Sequence, residues 1–153
     1  MWGKTTTMDT LKIIETVQTI FIGADERDWE LCGSAFAETV HLDYTSLAGG
    51  EPADLPAEKI LESWKAFLPR FKATHHQLGN FVVHEESDSA TVFFYGMATH
   101  YFPNESGRNI WTVVGTYDAK LERRGADWKV RALKLNLKYV DGNTELPTLV
   151  TTQ

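Results

Sequence analysis

Apolar residues recur at helical spacing over the first half of the chain and at every second position over the second half. Leu11, Ile14, Val17, Ile20 and Phe21 make the first helical stripe. Asp9 reads as its N-cap and Gly23 as its terminator. Asp25-Glu26-Arg27 is then a short polar turn, and Asp28 caps a second helix with Trp29, Cys32, Ala35 and Phe36 on its apolar side. Val40-His41-Leu42-Asp43-Tyr44 has the character of a short strand, and Ala48 to Asp54 that of a loop. Pro56 fits the first turn of a third helix, whose stripe is Ile60, Leu61, Trp64, Phe67 and Leu68 and which Pro69 closes.

Beyond Pro69 the period shortens to two. Four long strands are predicted, at Ala73–His84, Ala90–Phe102, Asn109–Arg123 and Asp127–Val140, joined by turns at Glu85–Ser89, Pro103–Gly107 and Arg124-Gly125. The second strand is unusual. Val92, Phe94, Ala98 and His100 lie on one face, and Phe93, Tyr95, Met97 and Tyr101 on the other. Neither face is simply polar, which predicts cover on both sides. The half-apolar face of Tyr95, Met97, Thr99 and Tyr101 would mark an interface if no helix covers it, and a homo-oligomer is expected. In the last strand the parity changes: Trp128 and Val130 share one face, Leu133, Leu135 and Leu137 the other. A β-bulge near Arg131-Ala132 would restore one core face and curl the sheet. Three helices followed by long antiparallel strands make an α+β fold, a single domain spanning 1–153, in which a curved antiparallel sheet wraps the helices as a cone-shaped α+β barrel. The mouth of such a cone is a natural place for an apolar ligand.

Composition narrows the functional classes. A net charge of −6 without a basic run argues against nucleic acid. No apolar run reaches the ~18 residues of a membrane span. Residues Met1 to Met8 lack the apolar core of a signal peptide, so a cytoplasmic location is expected. The single Cys32 allows no internal disulfide and reads as a small buried hydrophobe. Five Trp, five Tyr and eight Phe are enough to line a pocket for a ring, although an aromatic core would use most of them.

The chemistry centres on His75-His76, adjacent residues at the start of a strand. Neighbours on a strand point to opposite faces, so one of the pair faces inward. Histidine is the side chain whose unperturbed pKa lies near neutrality. Strand parity alone does not decide between the two. His100 stands on the apolar face of the second long strand, Tyr44 at the end of the short strand, and Asp25 in the turn after the first helix. No HxH or HxxxH spacing points to a metal.

Several segments, in order, resemble the SnoaL-like branch of the nuclear-transport-factor and ketosteroid-isomerase cone fold. Ala24-Asp25-Glu26-Arg27-Asp28-Trp29, Leu42-Asp43-Tyr44-Thr45-Ser46, Thr74-His75-His76 and Ala98-Thr99-His100-Tyr101 are similar to the segments of scytalone dehydratase that carry its aspartate, a water-binding tyrosine and two histidines. Gly115-Thr116-Tyr117 and Glu122-Arg123-Arg124 look more like hexachlorocyclohexane dehydrochlorinase. The resemblance implies a cofactor-independent enzyme with catalytic Asp25, Tyr44, His76 and His100, and favours His76 as the inward histidine. It implies a dehydratase-type lyase acting on a small apolar, cyclic or polyketide-like substrate. An isomerase, a polyketide cyclase, a dehydrohalogenase or a non-catalytic binding module would use the same pocket. It also implies a trimer ahead of a dimer. The sequence departs from the dehydratase at Ala24, where that enzyme has a second tyrosine, and at Gly115 and Tyr117, where it has serine and asparagine.

Overall fold

Helix α1 runs from Thr6 to Glu26 in the computed structural model, which describes residues 6–152. Its buried stripe is Ile13, Val17, Ile20, Phe21 and Ala24. Leu11 is exposed and Ile14 only partly covered, so the true stripe is offset from the expected one. Asp9 lies in the first turn rather than at the cap, and its carboxylate takes an ion pair from Arg123 at 2.9 Å. Gly23 does not end the helix. A Cβ there would come within 2.6 Å of the Cys32 backbone nitrogen, so this glycine lets α1 touch α2 (Trp29–Ser34). The helix ends instead in a Schellman cap. Asp28 N–H donates to Gly23 O at 2.8 Å and Arg27 N–H to Ala24 O at 3.3 Å, with Arg27 in the left-handed region at φ 60. Asp25 is therefore a residue of the last helical turn, not of a loop.

Asp28 caps α2 as expected, its carboxylate accepting the Leu31 N–H at 3.0 Å. That helix stops at Ser34, and Phe36 opens a strand, β1 (Phe36–Asp43), longer than the sequence predicts. A short helix α3 (Thr45–Ala48) runs into the stretch from Ala48 to Asp54 that reads as loop, and an edge strand β2 (Ala53–Pro56) begins within it and takes Pro56, which is the N-cap of the next helix and not part of its first turn. Helix α4 (Ala57–Phe67) buries Ile60 and passes into a 3-10 turn at Leu68–Arg70. The four long strands follow as β3 (Ala73–Glu85), β4 (Ser89–Tyr101), β5 (Ile110–Arg124) and β6 (Asp127–Gly142), and a final helix α5 (Leu146–Thr151) was not foreseen.

All six strands form one sheet in the order β2-β1-β6-β5-β4-β3, antiparallel except where β1 runs parallel to β6. The sheet curves round the helices but does not close into a barrel, leaving β2 and β3 as free edges. Irregularities of register accompany the bend. In β6, Lys120 pairs with Ala132 and Leu121 with Val130, so Arg131 is the extra residue. Val130 and Leu133 are thereby both buried, at the position the parity switch predicts. A second bulge at Lys138 separates the pairings of Val114 with Tyr139 and Gly115 with Leu137. In β3 the register slips between Gly79 and Val82, with Asn80 at φ 53. Each bulge adds local twist and bends its strand.

The core lies between the sheet's inner face and the helices, with Phe94, Ile13, Ile20, Ile60 and Leu121 fully enclosed. Burying each such side chain contributes roughly 1.5–3 kcal/mol. The expectation that β4 is covered on both faces fails within one protomer: Phe93, Tyr95, Met97 and Tyr101 remain 37–45% exposed. Among the described residues, no helix is long and apolar enough to cross a membrane.

Candidate active site

The end of α1 and the start of β3 bring Asp25 against His76. The Asp25 carboxylate accepts the His76 ring Nδ1–H at Oδ1 and the His76 backbone N–H at Oδ2, both at 2.7 Å. Thr74 Oγ1–H donates to the same Oδ1 at 3.0 Å. A carboxylate at a helix C-terminus faces the negative end of the helix dipole, so these donors are what hold it there. Burial alone would raise the Asp25 carboxyl, but the His76 side chain and backbone, then Thr74, outweigh it and hold it below the usual carboxylate range. An ionised Asp25 can only accept, so a neutral His76 ring carries its proton on Nδ1 and presents the lone pair of Nε2. Both side chains are sequestered, at 12% and 13% exposure for His76 and Asp25.

A second layer sits behind the pair. Arg27 Nη1 donates to Thr74 Oγ1 at 2.8 Å and to Ala24 O at 2.9 Å, and Nη2 donates to Leu68 O at 2.8 Å. One guanidinium thus ties the end of α1, the 3-10 turn and β3 together. Its left-handed backbone costs of order 1 kcal/mol, which these charge-assisted hydrogen bonds offset. The ordered series Arg27, Thr74, Asp25, His76 fixes the ring on its strand.

His100 faces the same space from β4. Its Nδ1–H donates to the carbonyl of Trp111, its cross-strand partner, at 3.0 Å, and the Trp111 indole stacks on it at 4.2 Å. Burial, against the help of that carbonyl, pushes the imidazole down to about 4. His100 is therefore neutral at physiological pH. A backbone carbonyl can only accept, so the tautomer is set and Nε2 is an acceptor. In this state the ring can take a hydrogen bond from a ligand at Nε2.

His76 and His100, with ring centroids 6.4 Å apart, line a cavity of about 160 Å³ together with Tyr44 and Tyr117. Phe21, Leu47, Trp64, Phe67, Val113 and Leu135 supply apolar wall. Tyr44 enters from the N-cap position of α3 and meets Trp64 and Tyr117 edge-on, at 6.2 and 6.3 Å between centroids. Burial, then the neighbouring Tyr117, holds the Tyr44 phenol well above its ordinary value, and burial pushes Tyr117 up to about 12. Both are protonated donors at any physiological pH. The cavity thus offers two imidazole acceptors and two phenol donors within apolar walls. Among the described residues, no three His, Cys, Asp or Glu side chains converge as metal ligands do.

All four residues singled out in the sequence, Asp25, Tyr44, His76 and His100, converge here. His75 points away and pairs with Gln77 at 3.2 Å on the exposed face. His41 is an exposed partner of Asp54 at 2.8 Å, and His84 is exposed. Sequence reasoning missed Arg27, Thr74 and Tyr117. Thr74 shares the inward parity of His76 and carried a usable signal, whereas nothing local marks Arg27 as more than a turn residue.

Comparison with known proteins agrees with this architecture. A family model for the SnoaL-like domain matches residues 5–134. No functionally curated protein matches the sequence. Among solved structures, the Kfla4162 protein of Kribbella flavida is 28% identical, with a TM-score of 0.88 over 94% of this chain and 99% of its own. A candidate scytalone dehydratase from Novosphingobium aromaticivorans is 20% identical, with a TM-score of 0.76 over 92% of this chain and 91% of its own. The type-3 hexachlorocyclohexane dehydrochlorinase of Novosphingobium barchaimii is 16% identical, with a TM-score of 0.72 over 91% and 92%. At such identities the last two show a shared fold alone. The family match covers most of the chain, and with the six-stranded curved sheet and its helix-lined cavity it makes this protein a member of the SnoaL-like family, with the cone fold of the nuclear-transport-factor superfamily.

Proposed function

We propose that this protein is a cofactor-independent lyase of the dehydratase type, acting on a small cyclic or polyketide-like substrate that carries a carbonyl and a hydroxyl group. The observation that carries the reading is the buried Asp25–His76 pair opening on an apolar cavity. His76 Nε2 takes an acidic C–H proton, and the fixed Asp25 carboxylate stabilises the imidazolium that forms. Tyr44 O–H donates to the carbonyl oxygen as it gains negative charge. His100 Nε2 accepts from the substrate hydroxyl and orients it, and the proton that His76 has taken is the one returned to the departing oxygen. A positioned general base contributes about 10²–10⁴-fold, and donors to the developing anion add to that.

The same pocket would serve an isomerase, a cyclase or a dehydrohalogenase. The fixed acceptor at His100 favours a hydroxylated substrate over a halogenated hydrocarbon, which has no donor to offer it. A non-catalytic module would have no use for a sequestered carboxylate–imidazole pair, so the enzyme reading is preferred over it. Oligomeric assembly through the exposed face of β4, as a homotrimer ahead of a dimer, is part of the proposal.

The test is hydrogen–deuterium exchange at the carbon next to the carbonyl of a monocyclic β-hydroxy ketone, followed by NMR in D₂O. Exchange and loss of water with the wild-type protein, and neither with His76→Ala, is the expected result. Equal exchange in both proteins would remove the base from the reading.

A further inference from the structure

Tyr117 carries a hydroxyl on the cavity wall that the elimination chemistry leaves without a task. It lies on β5 opposite Phe94 and Leu135 and is only 4% exposed, yet it borders the cavity. Its ring is held on several sides. Phe94 stacks on it at 5.0 Å and 7°, and Phe21 meets its edge at 5.3 Å. Gly96 leaves room for it, since a Cβ at that position would come within 2.4 Å of Tyr117 Cε1. A ring clamped in this way has its hydroxyl position set before any ligand arrives.

Tyr44 presents the second phenol, 6.3 Å away between ring centroids. Among the described residues, neither hydroxyl is held by a backbone carbonyl or a carboxylate, and neither is among the buried side-chain oxygens left without a partner. They therefore face the cavity. Two hydroxyls together have two protons to give. No hydrogen bond joins the two among the described residues, so both O–H groups are available to a ligand in the cavity.

We propose that Tyr117 is a further catalytic residue, and that its hydroxyl and that of Tyr44 form a two-donor site for an enolate- or phenolate-type oxygen anion on a single six-membered ring. The ring size follows from the volume: about 160 Å³ is close to the apolar cavity of about 150 Å³ that accepts benzene. The anion class follows from the donors, two neutral O–H groups fixed in a low-polarity wall, where preorganised donors act most strongly on developing charge. This rests on the reading of the cavity as the active site, in which the anion is the enolate formed when His76 takes its proton.

Binding of 4-nitrophenol, read by its phenolate absorbance, is compared with binding of 4-nitrotoluene, the same shape without an ionisable oxygen. The proteins are wild type, Tyr117→Phe, Tyr44→Phe, the double variant and His76→Ala. Tyr117→Phe keeps the clamped ring and removes only the O–H. It is expected to weaken phenolate binding about 10-fold or more, the range for a hydrogen bond to a charged group, and to leave 4-nitrotoluene within about 2-fold, since the ring and its burial are kept. In the double variant the two losses are expected to be non-additive, because both donors meet one oxygen. Equal weakening of both probes by Tyr117→Phe would assign the residue to packing, and unchanged phenolate binding would remove the donor; either overturns the proposal. His76→Ala is expected to retain the discrimination between the two probes that Tyr117 provides. Failure of His76 as a base would therefore leave this result intact.

Discussion

Asp25 holds His76 by two separate contacts, Oδ1 on the ring Nδ1–H and Oδ2 on the backbone N–H, each 2.7 Å long. The carboxylate therefore fixes both the strand and the ring it carries. Asp25→Asn replaces one acceptor with an NH₂ group, so one of the two contacts is lost and the imidazolium has no counter-charge. The expected outcome is a fall in kcat of about 10²–10⁴ with substrate binding largely kept. Steady-state kinetics on an authentic substrate check this, and a wild-type kcat in the variant would show that the dyad is not the base.

Arg27 does not itself line the cavity, and it acts on the dyad through Thr74, which donates to Asp25 at 3.0 Å. Thr74→Val removes one of the donors that keep the carboxylate ionised. It should lower kcat by roughly 10-fold with KM unchanged, and Thr74→Ser should restore it. Arg27→Met leaves the Ala24 and Leu68 carbonyls without their side-chain donor, and urea unfolding should show a loss of about 1–3 kcal/mol. A Thr74→Val enzyme with a normal rate would make this layer purely structural.

His100 gives a pH dependence of known sign. Burial lowers it from 6.5 to about 4 in the folded protein, so the unfolded chain binds more protons between those values. The stability from keeping His100 neutral is present above pH 6.5 and is lost as the pH falls toward 4. The lowering from 6.5 to about 4 corresponds to roughly 3 kcal/mol. His100→Asn keeps a donor for the Trp111 carbonyl and does not titrate. Thermal unfolding across this pH window should have a shallower slope in the variant, and identical slopes would show that other groups cause the acid loss.

Tyr95 and Met97 lie exposed at the centre of the sheet's outer face, and Lys138 covers the Tyr95 ring at 4.7 Å. If this face assembles copies of the chain, light scattering at micromolar concentration should report a homotrimer, and Met97→Glu should shift it to monomer by burying a charge. A monomeric wild-type protein under the same conditions would refute assembly through β4.

Much of this molecule was legible in one dimension because the relevant physics is local. The two-residue period of β4 and β5 is visible as a pattern, and Asp28 at a helix start is its own signal. The parity switch between Val130 and Leu133 located the Arg131 bulge, because a strand with one buried face must insert a residue to keep that face inward. The four polar residues Asp25, Tyr44, His76 and His100 were found through resemblance to a family rather than through spacing. They lie far apart along the chain, and the cone alone brings them together.

What tertiary structure decided was whatever depends on a partner distant in sequence. Gly23 looks like a helix terminator, but its meaning is the approach of Cys32, and the helix stops only where Arg27 finds acceptors on Leu68 and Thr74. The choice of His76 over His75 was ambiguous by parity because β3 slips register between Gly79 and Val82, which reverses the pattern beyond it. The tautomer of His100 depends on a carbonyl across the sheet at Trp111. The sequence determined which side chains alternate along each strand, since that follows from backbone geometry. Which atom of each side chain was left free for chemistry was set by its cross-chain neighbour, and only folding chooses that neighbour.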